Sequence, residues 1–279
     1  MADRANLSYL VDKYFYASQM PTMWCPGCGN GVVAMSMCRA IERVGLDMDK
    51  VIHVAGIGCA AVAHWYTKFT ALQTAHGRAL ASATGIKFAN PDLTVIVTMG
   101  DGDAAAIGGN HLIHACRRNI DVTAIVYNNF NYGMTGGQVG PTTPLRSFAS
   151  TTPYGNAERP FDICRLAEAA GATYVARGAV YYVEELISLI ERGIRHNGFA
   201  LIDVLTPCVT VFGRLNRLGT PGEMFKAQRK LTVPVSKAKN LSIEELEGKL
   251  VRGVLVEKEV PEFTDEYDKI IAQAQGRGK

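Results

Sequence analysis

Apolar residues along this chain fall in two rhythms. Short runs rich in Val, Ile, Leu, Tyr and Met occupy 51–55, 93–99, 122–127, 173–176 and 200–205. Between them, apolar residues recur every three or four positions over 31–44, 77–89, 104–118, 161–170 and 183–196. Unbroken apolar runs fit strands buried on both faces, and the 3.6-residue rhythm fits helices. Breakers agree: Asn90-Pro91 and Gly171 each follow a helical stretch, while Gly108-Gly109 weakens another. Strands alternating with helices predict parallel pairing through right-handed crossovers. The expectation is an α/β fold, a mostly parallel sheet with helices on both faces.

Three regions depart from the rhythm. Residues 1–24 read as an arm or irregular entry segment. Residues 139–160 carry Pro141, Pro144, Pro153 and Pro160 among many Thr and Ser. That is a long ordered loop, of a length usually functional or disordered in compact domains. After residue 212 apolar periodicity falls and charge rises. The chain therefore divides into a core over 1–212 and a C-terminal extension over 213–279, which covers the core or contacts a partner subunit. Within the extension, Ser242 and Glu245 form a capping-box pattern for a helix over 241–250, and 251–256 reads as a strand.

Composition narrows the classes. With 279 residues, 48% of them apolar, the chain can fill a sizeable core. A net charge of +3 is too small to point to nucleic acid. Arg117-Arg118 and the basic cluster over 226–230 read first as solvated faces, with a docking patch for an acidic electron carrier as the other reading. No apolar run nears the roughly 20 residues of a membrane helix, and no signal-peptide core opens the chain. A cytoplasmic location is expected, and seven cysteines, an odd number, fit a reducing compartment better than a disulfide framework.

Chemistry concentrates where two of these strands end. The run 93–99 leads into Gly100-Asp101-Gly102-Asp103. The run 122–127 leads into Asn128-Asn129, then Tyr132-Gly133-Met134-Thr135-Gly136-Gly137-Gln138. Successive parallel strands deliver an acid and an amide to one sheet edge, where open α/β sheets bind ligands. Oxygen donors of this kind suit Mg²⁺ sharing its shell with phosphate oxygens. Either turn alone would read as a tight turn; their pairing favours a diphosphate site. His76, in Gln73-Thr74-Ala75-His76-Gly77-Arg78, stands where a helix starts and reads equally as a phosphate contact or a structural residue. His111 and His114 read as core or surface residues, and no Gly-x-Gly-x-x-Gly follows a strand, so a nicotinamide or flavin site is not indicated.

Four cysteines stand at element boundaries: Cys25 and Cys28 in Cys25-Pro26-Gly27-Cys28, Cys59 after Gly56-Ile57-Gly58, and Cys208 after Thr206-Pro207. Four thiolates suit Zn²⁺ or a 4Fe-4S cluster, and the spacing does not separate the two. Cys38, Cys116 and Cys164 lie inside helical patterns and read as packing residues. Trp24 and Trp65 flank the first group and read as packing against a cluster or in the core.

These residues together resemble the β subunit of 2-oxoacid:ferredoxin oxidoreductases, which bind thiamine diphosphate. The resemblance runs over 21–218, and the stretch over 212–230 looks most like the 2-oxoglutarate branch. It implies a thiamine diphosphate-binding fold with the C-terminal extension added. It implies that Cys25, Cys28, Cys59 and Cys208 ligate one 4Fe-4S cluster, and that Asp101, Asn129 and the Asn131 backbone carbonyl hold Mg²⁺. Ile57, Gly58, Cys59, Ala60, His76, Gly100, Gly102, Asp103, Gly133 and Met134 match positions lining thiamine diphosphate. The implied activity is coenzyme A-dependent oxidative decarboxylation of a 2-oxoacid, 2-oxoglutarate foremost, with pyruvate or a broad range as alternatives. Electrons pass to ferredoxin, and the reaction is open to reversal for CO₂ fixation. The activating glutamate comes from an α subunit in an α2β2 assembly, so no catalytic acid is expected in this chain. Two rivals stand beside this reading: a non-redox thiamine decarboxylase half with structural zinc, and a non-catalytic scaffold subunit.

Overall fold

The computed structural model describes residues 7–276. Among the described residues, ten strands form two sheets: β1 (Val51–Ala55), β2 (Thr70–Gln73), β3 (Thr94–Gly100), β4 (Thr123–Asn128), β5 (Asn131–Tyr132), β6 (Gln138–Val139), β7 (Tyr174–Ala179), β8 (Ala200–Leu205), β9 (Thr232–Pro234) and β10 (Leu250–Glu257). The main sheet has eight strands in the order β2-β1-β3-β4-β8-β7-β10-β9, and β5 pairs with β6 in a small antiparallel ribbon. From β2 to β7 every pairing is parallel, and β10 joins β7 antiparallel. The chain leaves β1 outward to β2 and returns to β3 on the other side. That reversal makes a crevice at the carboxyl ends of β1 and β3, the place where such sheets bind ligands.

Both faces of the sheet are covered, which is why its strands read as apolar runs. The helices are α1 (Leu7–Tyr14), α2 (Asn30–Val44), α3 (Ala63–Tyr66), α4 (Ala79–Ala89), α5 (Gly109–Arg118), α6 (Ile163–Ala169), α7 (Val183–Arg195), α8 (Pro221–Leu231), α9 (Val235–Ala238), α10 (Ile243–Leu246) and α11 (Phe263–Ala274). Alternate residues of each strand go to opposite cores. Ile125 and Tyr127 of β4 pack with Val33, Met37 and Ile41 of α2 and Leu186 and Ile190 of α7. Ala124 and Val126 pack on the other face with Ala83 of α4, Leu112 and Cys116 of α5 and Cys164 of α6. Cys38 is buried in the first core, so all three helical cysteines are packing residues.

Local chemistry sets the helix ends. Gly45 closes α2 in the left-handed conformation, φ 81°. Thr220 and Glu223 form a capping box on α8, with Pro221 at its first position, and Ser242 and Glu245 form the one read from the sequence on α10.

Three regions differ from the sequence reading. The helix expected over 104–118 is broken: a π-helical turn spans Asp103–Ile107, and α5 begins only after Gly108. The cause is close approach, since a Cβ on Gly77 would lie 2.7 Å from the Gly108 nitrogen and one on Gly108 2.3 Å from the Asp103 carbonyl. The irregular arm expected over 1–24 lies partly outside the described residues. Within them α1 forms, and Leu10, Tyr14 and Phe15 are buried. The segment 213–279 is not merely laid over the core: its β9 and β10 continue the main sheet past β7.

Candidate active site

Parallel pairing puts the carboxyl ends of β1, β3, β4 and β8 on one edge, and the loops that follow carry the chemistry read from the sequence. One cavity of about 90 Å³ is lined by Ile57, Gly58, Cys59 and Ala60 after β1, His76 after β2, and Gly100, Asp101, Gly102 and Asp103 after β3. Asn129, Asn131, Gly133 and Met134 after β4 complete it. Tyr132 and Thr135, from the run quoted after the second strand, line it as well, as does Tyr127 at that strand's end, though none of the three was assigned to the cofactor site from the sequence. Arg78 and Arg146, side chains long enough to meet a substrate carboxylate, are exposed and stand apart from this lining.

The two aspartates of the β3 turn have different tasks. Asp103 is a clasp. Its Oδ1 accepts from His76 Nδ1 at 2.5 Å and from the Gly77 N–H at 2.5 Å, while Oδ2 accepts from the Ile57 N–H at 3.1 Å. One buried carboxylate thus ties the loops after β1, β2 and β3. A Cβ on Gly56 would fall 1.6 Å from Asp103 Oδ2, so glycine is required there. His76 is held by this contact, which supports the structural side of its two readings.

Asp101 is 2% exposed, and Thr142 Oγ1 donates to its Oδ2. Burial pushes its carboxyl up to about 7, partly offset by hydrogen bonds from Thr142 and the turn backbone, with a small upward push from Asp203. Thr142 comes from the long loop over 139–160. The cue to it in the sequence was the loop's length alone. Across the cavity, Asn129 Oδ1 accepts from the Asn131 N–H at 3.2 Å. Both side-chain polar atoms of Asn131 and the Tyr127 hydroxyl are buried without a hydrogen-bond partner among the described residues. Buried orphans of this kind mark places where a ligand completes the polar set.

A second cavity, of about 230 Å³, holds the thiols. Cys25, Cys28, Cys59 and Cys208 line it together, with Trp24, Asn30, Val62 and Val211. Trp24 Nε1 donates to the Cys59 carbonyl at 2.8 Å and so fixes the third cysteine's loop to the first pair. Burial pushes the Cys28 thiol up to about 12 and the Cys59 thiol up to about 11, and the neighbouring cysteines push further. Such thiols are not free nucleophiles; deprotonation needs a metal centre. Among the described residues, no three His, Cys, Asp or Glu side chains converge closely enough to hold a single metal ion.

The two cavities share a wall. Cys59, Asn129, Gly133 and Met134 line both. A Cβ on Gly133 would lie 3.4 Å from the Cys208 sulfur and 3.6 Å from Asn129 Nδ2 and Asn131 Oδ1.

Residues 51–204 match the C-terminal TPP-binding domain of thiamine pyrophosphate enzymes. The chain is 48% identical over 259 residues to the 2-oxoglutarate synthase subunit KorB of Methanocaldococcus jannaschii, covering 93% of this chain and 96% of the relative. This chain belongs to the 2-oxoacid:ferredoxin oxidoreductase β-subunit family. Another member, the 2-oxoacid:ferredoxin oxidoreductase β subunit of Saccharolobus solfataricus, is 46% identical over 189 residues, covering 67% of this chain and 62% of that one. Among solved structures, a 2-oxoglutarate:ferredoxin oxidoreductase from Magnetococcus marinus, with 2-oxoglutarate, coenzyme A and succinyl-CoA bound, superposes with a TM-score of 0.84 at 33% identity. The match covers 95% of this chain and 90% of that one. The family's thiamine pyrophosphate domain thus coincides with the part of the sheet that carries the acid–amide cavity. Among the described residues, no helix is long and apolar enough to cross a membrane.

Proposed function

We propose that this chain is the β subunit of a coenzyme A-dependent 2-oxoacid:ferredoxin oxidoreductase, with 2-oxoglutarate as the substrate. The observation that carries the reading is the shared wall at Gly133, which sets the acid–amide cavity directly against the four-thiol cavity. Thiamine diphosphate, when bound, supplies the carbanion chemistry of decarboxylation, and a 4Fe-4S cluster supplies a one-electron outlet. Asp101 and Asn129 by their side chains, and Asn131 by its backbone carbonyl, would hold Mg²⁺, which neutralises diphosphate charge. The donor set fits: a buried carboxyl and an amide oxygen stand on one cavity, and the unpaired Asn131 side chain beside them leaves polar capacity for a ligand. The loop residues 57–60, with Gly102 and Gly133, give close backbone approach. A Cβ on Gly102 would lie 2.2 Å from the Tyr132 ring. Cys25, Cys28, Cys59 and Cys208 hold the cluster; their sharing of one cavity supports a common centre, and the kinship with 2-oxoacid:ferredoxin oxidoreductases favours a cluster over zinc.

No glutamate lines the acid–amide cavity among the described residues, and the activating acid is assigned to an α subunit in an α2β2 assembly. Retention of Asp101 and Asn129 on one cavity favours an enzyme subunit over a scaffold. All seven cysteines are unpaired, which fits a reducing compartment, and we place the enzyme in the cytoplasm. Anaerobic purification from the native cell tests the whole reading. It should yield a brown complex with four irons per β chain and 2-oxoglutarate- and coenzyme A-dependent reduction of a low-potential dye. The β chain alone should show no turnover. A colourless complex, or robust turnover by the isolated chain, would overturn the proposal.

A further inference from the structure

We infer that Asn30 is a hydrogen-bond donor to the sulfur centre held by the four cysteines, and that its side-chain amide sets the reduction potential of that centre. The inference rests on the cluster reading above. Asn30 opens α2, two residues after Cys28, and is 1% exposed. It lines the same cavity as the four cysteines. Neither Nδ2 nor Oδ1 has a hydrogen-bond partner among the described residues. Its backbone also acts on the neighbouring Cys28 thiol, partly offsetting the effect of burial there.

An amide buried with all its polar atoms unpaired is costly and rare. It persists where a partner absent from the polypeptide completes it. Trp24, Val62 and Val211 offer no acceptor side chain, and the Asn129 and Thr210 side chains, which also line the cavity, are not hydrogen-bonded to Asn30, so the cysteine sulfurs are the acceptors left to it there. A reduced cluster carries one more negative charge than an oxidised one. An N–H directed at its sulfurs therefore stabilises the reduced form more and raises the potential. Asn30 is a positioning and tuning residue: it touches the cluster's sulfurs and takes no part in bond making at the substrate.

The test uses the anaerobically purified complex with its partner subunit. Asn30→Leu keeps the volume and removes the donor; Asn30→Ala removes it without risk of a clash. Both variants should retain four irons per chain. An EPR-monitored redox titration should show reduction of the centre about tenfold less favourable in each, a shift of about 59 mV to lower potential for a one-electron couple. Asn30→Ser, which keeps a shorter donor, should fall between them and the wild type. Full iron content with an unchanged potential in the leucine and alanine variants would overturn the inference. Loss of iron from both would overturn it too, because a tuning donor is not needed to hold iron. A wild-type complex without iron would instead sink the cluster reading itself.

Discussion

The acid–amide cavity and the thiol cavity meet at Gly133, yet they are built in opposite ways. The first is cross-linked before anything binds. Asp103 clasps three loops, Thr142 holds Asp101, and the Asn131 backbone holds Asn129. The second is shaped by backbone and packing, with one indole hydrogen bond to the Cys59 carbonyl, and burial pushes the Cys28 and Cys59 thiols up. As the proposed diphosphate site, the first cavity is pre-organised, so binding there would spend little on ordering. A thiolate site gathers its order from the metal, because binding and deprotonation are one event. Disturbing each cavity should therefore fail in a different way.

The largest effect belongs to the thiol cavity. Cys208→Ala removes one of the four cavity thiols and should strip the complex of most of its iron. Dye-linked turnover should fall by about 10³-fold or more, the order expected when a required path is lost. Cys164→Ala removes a thiol that is more deeply buried but lies in a hydrophobic core, in the cluster that holds Leu112 and Val175. It should retain full iron and lose only about 1 kcal/mol of stability, the range of a small core truncation. Equal iron in the two variants, measured by a colorimetric iron assay, would show that the wrong cysteines carry the centre.

Next in size is the clasp. Asp103→Ala leaves two buried N–H groups and the His76 ring unpaired and should cost about 3 kcal/mol of stability. It should also weaken thiamine diphosphate binding. The thermal shift on adding thiamine diphosphate and Mg²⁺, which reports binding to the folded state, should shrink or vanish while iron content stays whole. Loss of iron with retention of the thermal shift would mean that the rigid and the metal-ordered cavities had been assigned the wrong way round.

Below the cross-linked cavity, His53 joins β1 to β3. It is fully buried, with Nε2 2.8 Å from Thr98 Oγ1 and Nδ1 3.2 Å from Thr67 Oγ1. Burial lowers its pKa to about 3, with a smaller push from His64. The folded state keeps the ring neutral, whereas the unfolded chain takes up a proton below about 6.5. This contribution is present above pH 6.5 and is lost as pH falls toward 3, so by pH 4.5 it removes about 2–3 kcal/mol. His53→Gln should start less stable at pH 7 and lose less on acidification. Parallel denaturation slopes for the two proteins between pH 7 and 4.5 would refute the assignment.

The fold was largely legible because it rests on local rules. Apolar runs found β1, β3, β4, β7 and β8, and the edge they share placed Asp101 and Asn129 on one cavity. What escaped depends on contacts distant in sequence. The edge strands β2 and β9 are too short for periodicity to register, and β2 is exposed along its length. The π-helical turn after Gly102 exists because Gly77 packs against Gly108, which no local window contains. At the site, the alternative roles of Asp101 and Asp103 could not be told apart in a Gly-Asp-Gly-Asp run. Their partners come from residues 41 positions downstream and 26 and 46 positions upstream. Asn30 was passed over for the same reason: an unpaired amide is visible only when its surroundings are.

The smallest effect concerns the residue that the long loop hides. Thr142 is 3% exposed, and its hydroxyl is the side-chain donor that holds Asp101. Thr142→Val keeps the shape and deletes the donor, so the carboxylate loses its orientation but not its place. One hydrogen bond to a charged acceptor is worth about 1.5–3 kcal/mol when fully lost, and a bound cation restores part of the order. Thiamine diphosphate affinity in the presence of Mg²⁺ should therefore weaken by about fivefold to tenfold, with iron content and stability nearly unchanged. Thr142→Ser, which keeps the hydroxyl, should bind within about twofold of the wild type. Titration calorimetry on the three proteins decides. If serine and valine weaken binding equally, the loop acts on the cavity by packing its methyl group, and pre-organisation of Asp101 would rest on the β3 turn alone.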